Sequence, residues 1–178
     1  SFGNWKFDGD AKGNYQENEY NAEGQVIGLK TTPYSYALNG LWVGDMPQTA
    51  YVMGATLTPI KGLRLQGILK MYDKNYSDWS PNAREYDGSD ADADRSQVWQ
   101  APAYNRLDLH GSYKLPKIGG LDMSINAHVF NALDAVYVQD AVDNSQYNGF
   151  GDKLHLPHNA EVFLGTPRYA NIGLVVNF

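Results

Sequence analysis

The sequence predicts an all-β chain of antiparallel strands, and three observations carry that expectation. Its 178 residues include 18 Gly, 13 Tyr and 4 Trp, a composition rich in strand and turn formers. Several runs of about ten residues alternate apolar and polar side chains with the period of two that a half-buried strand requires. Proline and glycine close those runs, as in Pro59-Ile60-Lys61-Gly62 and Pro116-Lys117-Ile118-Gly119-Gly120, where tight connections form.

Composition also excludes several classes. Cysteine is absent, so disulfides, thiolate metal sites and thiol nucleophiles are ruled out. A net charge of -6 lacks the basic footprint of a nucleic-acid surface. Mean hydropathy is -0.48, and no apolar run approaches the roughly 18 residues of a membrane helix. Membrane strands stay open, because alternating strands average out to polar. The chain opens on Ser1-Phe2-Gly3-Asn4-Trp5, strand-like sequence without an initiator Met or a leader, and is expected to be a piece of a larger protein.

Taken in order, Ser1 to Asp10 sets Trp5 and Phe7 against Asn4, Lys6 and Asp8, a short stretch of strand. Ala11 to Gly24, with Glu17, Glu19 and Glu23, has no apolar period and reads as a loop or as strand ends standing in water. Val26 to Leu29 and Tyr34 to Val43 are broken apolar runs around Thr31-Thr32-Pro33, a projecting hairpin or loop. Thr49 to Pro59 then alternates cleanly, with Tyr51, Met53, Ala55 and Leu57 on one side. The next strand carries Leu63, Leu65, Gly67, Leu69 and Met71 against Arg64, Gln66, Ile68, Lys70 and Tyr72.

Periodicity disappears from Asp73 to Ala103, which holds Trp79, Tyr86, Trp99 and the acidic run Asp87 to Asp94. It returns in Tyr104 to Leu115, where Leu107, Leu109 and Tyr113 oppose Asp108, His110, Ser112 and Lys114. Leu121, Met123, Ile125, Ala127 and Val129 follow on one face, with Asp122, Ser124, Asn126 and His128 on the other. Ala135 to Leu164 is a second long, Asn- and Asp-rich connection. The last strand places Ala170, Ile172, Leu174, Val176 and Phe178 opposite Tyr169, Asn171, Gly173, Val175 and Asn177.

Two patterns combine into a membrane reading. The spans have the length of a tilted transmembrane strand, and the connections alternate short and long, as outer-membrane barrels arrange tight periplasmic turns and long outer loops. The non-apolar faces carry Arg64, Lys70, Asp108, His110, Lys114, Asp122 and His128, which suit a watery lumen better than a packed sandwich. About six strands cannot close a barrel, since single-chain barrels begin at eight. Two open edges in hydrocarbon would cost many tens of kcal/mol, on the order of ten unpaired groups per edge at several kcal/mol each. Other strands are therefore expected to complete the structure.

Several short motifs occur in a telling order: Gly3-Asn4-Trp5-Lys6-Phe7, Gly44-Asp45-Met46-Pro47-Gln48-Thr49, Thr58-Pro59-Ile60-Lys61-Gly62-Leu63, Val129-Phe130-Asn131-Ala132-Leu133-Asp134-Ala135-Val136-Tyr137, and Gly165-Thr166-Pro167-Arg168 before the terminal Phe178. Together they resemble the C-terminal end of TonB-dependent outer-membrane receptors, in the Bacteroidota branch that includes SusC-like transporters. Ala132-Leu133 stands where Leu-Phe is usual in that family, which keeps the strand apolar.

The resemblance implies that residues 1-178 are the C-terminal part of a transmembrane β-barrel of about 22 strands. The plug domain, the earlier strands and the TonB-contacting segment would lie outside this chain. It further implies a Gram-negative outer-membrane location and energised uptake of a large nutrient such as a glycan or peptide. The partners implied are the remaining strands and plug, the TonB complex, the barrel-assembly machinery, outer-membrane lipid and a SusD-like surface lipoprotein. Tyr169, Gly173, Val176 and Phe178 would belong to the assembly signal in the last strand. The turns at Pro59 and Pro116 would be periplasmic, and Ala11 to Pro47, Asp73 to Ala103 and Val138 to Leu164 extracellular.

For ligand contact, Trp79, Tyr86 and Trp99 could stack on a sugar ring or grip a peptide, or else serve as girdle and loop packing. The acidic run has Arg95 where a calcium loop wants Gly and no closing Glu, so a solvated loop is expected. His155 and His158 have a weak metal spacing, and His110 and His128 are expected as lumen residues, so no metal or cofactor is assigned. Without a nucleophile elbow or a phosphate loop the chain is not expected to be an enzyme. The alternatives are a soluble β-sandwich carbohydrate-binding module, whose aromatic loops would make the site, and a passive outer-membrane porin.

Overall fold

The computed structural model describes residues 1–117, 119–143 and 155–177. In chain order the elements are β1 (Ala11–Tyr20), β2 (Val26–Tyr36), β3 (Thr49–Leu57), β4 (Leu63–Asp73), β5 (Asn75–Tyr76), a single helical turn α1 (Pro81–Arg84), β6 (Gln100–Ala101), β7 (Tyr104–Lys114), β8 (Asp122–Phe130), β9 (Val138–Asp143), β10 (Ala160–Leu164) and β11 (Tyr169–Asn177). The protein is all-β with antiparallel sheets, as its alternation and turn residues predict.

The main sheet is a five-stranded meander in the order β11-β8-β7-β4-β3, open at β3 and β11 among the described residues. Its registers run without a slip, so whole rows of side chains share a face. One row crosses all five strands as Leu57, Leu65, Gly111, Ala127 and Ile172. The adjacent row, on the opposite face, is Thr56, Gln66, His110, His128 and Asn171. The β3–β4 turn is tight because Gly62 sits at φ +86, a conformation that suits a residue without Cβ. The Gly62 carbonyl accepts the Lys114 N–H at 2.9 Å, which ties this turn to the end of β7.

No described element seals the apolar face. Leu57, Ile172 and Leu174 are 65%, 77% and 61% exposed, although these are the residues a soluble sandwich would bury. The sealed core lies elsewhere, in the connections at one end of the sheet, around Leu38, Leu41, Ala83, Val98, Ala101 and Ala141. Here β5 pairs with β6, Asp78 bridges Val142, and the Ala37 N–H reaches the Arg84 carbonyl at 2.8 Å.

Two N-terminal expectations need correction. Ser1 to Asp10 is not a strand, and the sheet has five long strands where about six were expected. Phe2 bridges Thr49 and Lys6 bridges Trp42, and between these two bridges the side chain of Gln48 joins the pairing: its Oε1 accepts the Trp5 N–H at 2.9 Å and its Nε2 donates to the Trp5 carbonyl at 2.9 Å, a carbonyl that also accepts the Val43 N–H at 3.2 Å. The polar tract from Ala11 is itself strand, paired with β2 in a hairpin whose register shifts between Glu19 and Tyr20. Cross-strand polar contacts hold it, with the Thr32 hydroxyl donating to Glu17 at 2.8 Å and Lys30 at 3.5 Å from the same carboxylate. Much of this hairpin stands in solvent, so its sequence need not alternate.

The segments after β8 show how sharply the chain is pinned. Asn131 at φ 50 donates its amide to the carbonyls of Ala135, at 2.9 Å, and Thr166, at 3.2 Å, and accepts the Ala135 N–H at 3.1 Å. Asp134 accepts the Arg168 N–H at 3.2 Å and lies 3.4 Å from its guanidinium. The Asn131–Asp134 turn and the Gly165–Arg168 stretch therefore meet.

Gly165 donates its N–H to the Tyr137 carbonyl at 2.9 Å, and an added Cβ would overlap the Tyr137 ring. Gly165→Ala is expected to cost about 1–3 kcal/mol through overpacking, read as a lower denaturation midpoint of the intact protein. Combining it with Tyr137→Ala should give less than the sum of the single effects. Additive losses would show that the two residues do not compete for this space.

Candidate functional site

Three groups of polar and aromatic side chains are assembled at the loop end and along the polar face. The first is an ion network where β4, β7 and the turn after β8 converge. Lys70 Nζ donates to Asp108 Oδ2 at 2.8 Å, and the buried Asp108 accepts the Asn131 N–H at 3.0 Å through Oδ1. Arg106 lies 3.8 Å from the same carboxylate and donates to the Tyr137 hydroxyl at 3.0 Å. Above it, Tyr72, Tyr104 and Tyr137 form a column with ring centroids 5.0 and 4.3 Å apart.

The second group lies lower on the same face. His110 and His128 are directly opposed across β7 and β8, with their Nδ1 atoms 2.8 Å apart. They line a concavity of about 480 Å³ together with Arg64, Gln66, Ser112, Asn126 and Phe130.

The third group is the packed cap. Tyr86 is buried and donates its hydroxyl to Asp10 at 2.7 Å, while Arg95 grips both oxygens of Asp10 at 2.8 and 3.0 Å. That Arg95 fork, then the Asn39 N–H and the Tyr86 hydroxyl, hold the Asp10 carboxyl well below the usual range. Behind them sits a second cluster. Fully buried Arg84 donates to the Asp94 carbonyl at 2.9 Å and lies 3.4 Å from the Asp94 carboxylate and 3.9 Å from that of Asp143. His155 is sealed between the two acids, with Nε2 2.9 Å from Asp94 and Nδ1 in hydrogen-bond contact with Asp143.

Both ring nitrogens of His155 thus face carboxylate oxygens, which an imidazole satisfies by carrying a proton on each. Burial opposes the cation, but the hydrogen bonds to Asp143 and Asp94 outweigh it and raise the His155 pKa, even with Arg84 nearby. For Asp94, burial works against the charge, and the His155, Ser96 and Arg84 contacts more than reverse it, lowering its pKa.

The three aromatic candidates do not converge on one platform. Trp79 packs edge-on against Phe7 at 6.3 Å and tilted against Tyr36 at 5.6 Å. Tyr86 belongs to the Asp10 cluster, and half-buried Trp99 contributes its carbonyl to Ser77 N–H at 2.8 Å. The tyrosine column and the stacked Trp42–Tyr76 pair, with centroids 5.0 Å apart, escaped the sequence reading. Tyr72 and Tyr104 are direct cross-strand partners, a pairing set by the β4–β7 register.

Among the described residues no group of three or more acidic or histidine side chains is arranged to hold a metal. The acidic run spends its carboxylates on local N–H groups, Arg95, Arg84 and His155. Carboxylates also gather outside that run, where Asp45, Asp78 and Asp140 lie together: burial and then the two neighbouring charges raise the Asp45 pKa. In the last strand Tyr169 stacks on Phe130 at 4.7 Å, Gly173 faces the polar side and Val176 the apolar side. Phe178 lies outside the described residues. Set against family models, curated proteins and solved structures, the chain matches none of them.

The His155 clasp makes a pH prediction with a definite sign. Because its folded pKa is raised, its contribution is complete below the ordinary histidine value of about 6.5 and is lost as pH climbs through the higher folded value. Amide exchange in residues 81–95 is expected to quicken over that alkaline window. Substituting His155→Ala leaves the two buried acids to Arg84 and should cost about 3 kcal/mol of local stability. Protection that strengthens on raising the pH would contradict the assignment.

Proposed function

We propose that this chain is the C-terminal part of the β-barrel of an outer-membrane active transporter, a TonB-dependent receptor of the SusC-like branch, that takes up a large nutrient such as a glycan or peptide. The observation that carries the reading is the uncovered apolar face. Five antiparallel strands of 9 to 11 residues present a continuous aliphatic surface on one side and charged and amide side chains on the other. Strands of that length cross the hydrocarbon core when tilted, and lipid tails are the medium that such a face prefers to water.

Connection lengths add support. Residues 58–62 and 115–121 join strands tightly at one end, whereas 74–103 and 131–168 are long and belong to the other. In a barrel the first end faces the periplasm and the second the cell exterior. The missing strands and plug would close the ring and fill it, with the assembly machinery reading the last strand. The TonB complex would supply energy through a segment outside this chain, and a surface lipoprotein could cover the outer mouth. The sandwich alternative requires a second layer over Leu57, Ile172 and Leu174, and among the described residues none covers them.

Leu174 and Val175 are adjacent, both exposed, and face opposite sides of the sheet. In the intact protein, Leu174→Arg would put a charge in hydrocarbon at about 2–4 kcal/mol and should deplete the folded, detergent-extracted outer-membrane form. Val175→Arg, facing the polar side, should leave that form near the level of the unsubstituted protein. Release of the protein into buffer without detergent, or equal tolerance of both changes, would refute the membrane reading.

A further inference from the structure

We infer that His110 and His128 form a two-imidazole site for a divalent first-row transition ion, Cu²⁺ foremost. The inference rests on the register of β7 and β8 and on distances within this sheet, so it holds for this face whatever closes the sheet.

The two histidines are a direct cross-strand pair on adjacent antiparallel strands, the placement that brings side chains to their closest approach. Their Nδ1 atoms are 2.8 Å apart. In the metal-free protein that contact is a hydrogen bond, one ring donating and the other accepting; an ion would replace the shared proton, with each nitrogen about 2.0–2.1 Å from it. Among divalent first-row ions copper binds nitrogen sites most strongly.

The surroundings fit a ligand site better than a structural pair. Among the described residues each ring has the other as its polar partner and neither touches a carboxylate, in contrast with His155, whose two nitrogens are consumed by Asp94 and Asp143. Phe130 packs against both rings, with centroids 5.4 and 6.1 Å away, and limits their rotation. The same row continues into Gln66 on one side and Asn171 on the other. The pair opens into the concavity of about 480 Å³, so two protein nitrogens would leave further coordination positions facing free space. Arg64, on the wall of that concavity, disfavours a bare cation and favours one that brings an anionic oxygen ligand with it. Gln66, Ser112 and Asn126 offer hydrogen bonds to such a ligand.

The test uses the intact protein, stripped with a chelator and titrated with CuCl₂, NiCl₂ and ZnCl₂ separately. Pulsed electron paramagnetic resonance of the copper form should register two imidazoles on one ion. His110→Gln and His128→Gln, each checked for folding by circular dichroism, should each lower copper affinity at least tenfold and reduce the count to one imidazole. His158→Gln should change neither quantity. Copper should bind more tightly than nickel or zinc. Copper binding of equal affinity and imidazole count in the unsubstituted protein and in both variants would overturn the site, as would a one-imidazole spectrum from the outset. Nickel or zinc bound more tightly than copper would overturn the assigned ion.

Discussion

Everything in the main sheet depends on registers that do not slip. A shift of one residue in any of the four ladders would move that strand's aliphatic side chains onto the polar face and its charges onto the apolar one. The tight ends of the meander enforce the alignment. Gly62 turns β3 into β4 and binds Lys114 at the end of β7, so three strands are indexed against one another at a single point. At the other end Asn131 and Asp134 index β8 against the approach to β11 through Thr166 and Arg168. With both ends fixed, the His110–His128 and Leu57–Leu65 relationships follow as geometry rather than as separate facts.

The sheet and the cap solve different physical problems. Among the described residues nothing covers the apolar face of the sheet, so no sealed interior forms there, and the buried exceptions, Thr49 and Asp108, lie where the connections lean on it. The connections instead build their own interior, in which apolar residues are mixed with buried Arg84, Asp143, His155 and Asn159 and with half-buried Asp94. Such charges are costly to desolvate and are held only when paired. The pairing in turn binds segments that are far apart in sequence: Asp10 to Arg95, Asp94 to His155, Asp108 to Asn131. The long connections are thereby joined to one another by specific polar contacts at one end of the sheet.

Sequence reading reached the sheet because alternation is a local signal. The apolar parities assigned to Thr49–Leu57, Leu63–Asp73, Tyr104–Lys114, Asp122–Phe130 and Tyr169–Asn177 coincide with one face of the ladders. The cap was illegible for the opposite reason. Nothing near Arg84 in sequence announces Asp143 or His155, and aperiodic segments from Asp73 to Ala103 gave no hint that Tyr76, Tyr86 and Val98 would be buried. Ser1 to Asp10 misled because Trp5 and Phe7 do alternate, while the segment finds only isolated backbone bridges to Thr49 and Trp42 and the Gln48 side chain, 43 residues from Trp5. At the β1–β2 hairpin, expected as strand ends in water or a projecting hairpin or loop, the sequence left strand and loop undecided, because alternation is imposed by a buried face and a hairpin in solvent has none. His110 and His128 could be placed on wet faces, but their opposition required the β7–β8 register.

The main sheet leaves two demands open, and they constrain each other. On the proposed reading its aliphatic face lies in a medium other than water, and its edges at β3 and β11, open among the described residues, take further backbone partners. A second sheet packed over the apolar face would meet the first demand and leave the edges exposed. Extra strands in water would extend the edges and leave the face wet. Continuing the sheet until β3 and β11 are joined through other strands meets the edge demand, and placing that ring in hydrocarbon meets the other, with the polar rows turned inward. In that arrangement the row Thr56, Gln66, His110, His128 and Asn171 becomes part of an inner wall, while the cap, which carries its own core, stands at the mouth independently of how the ring is completed.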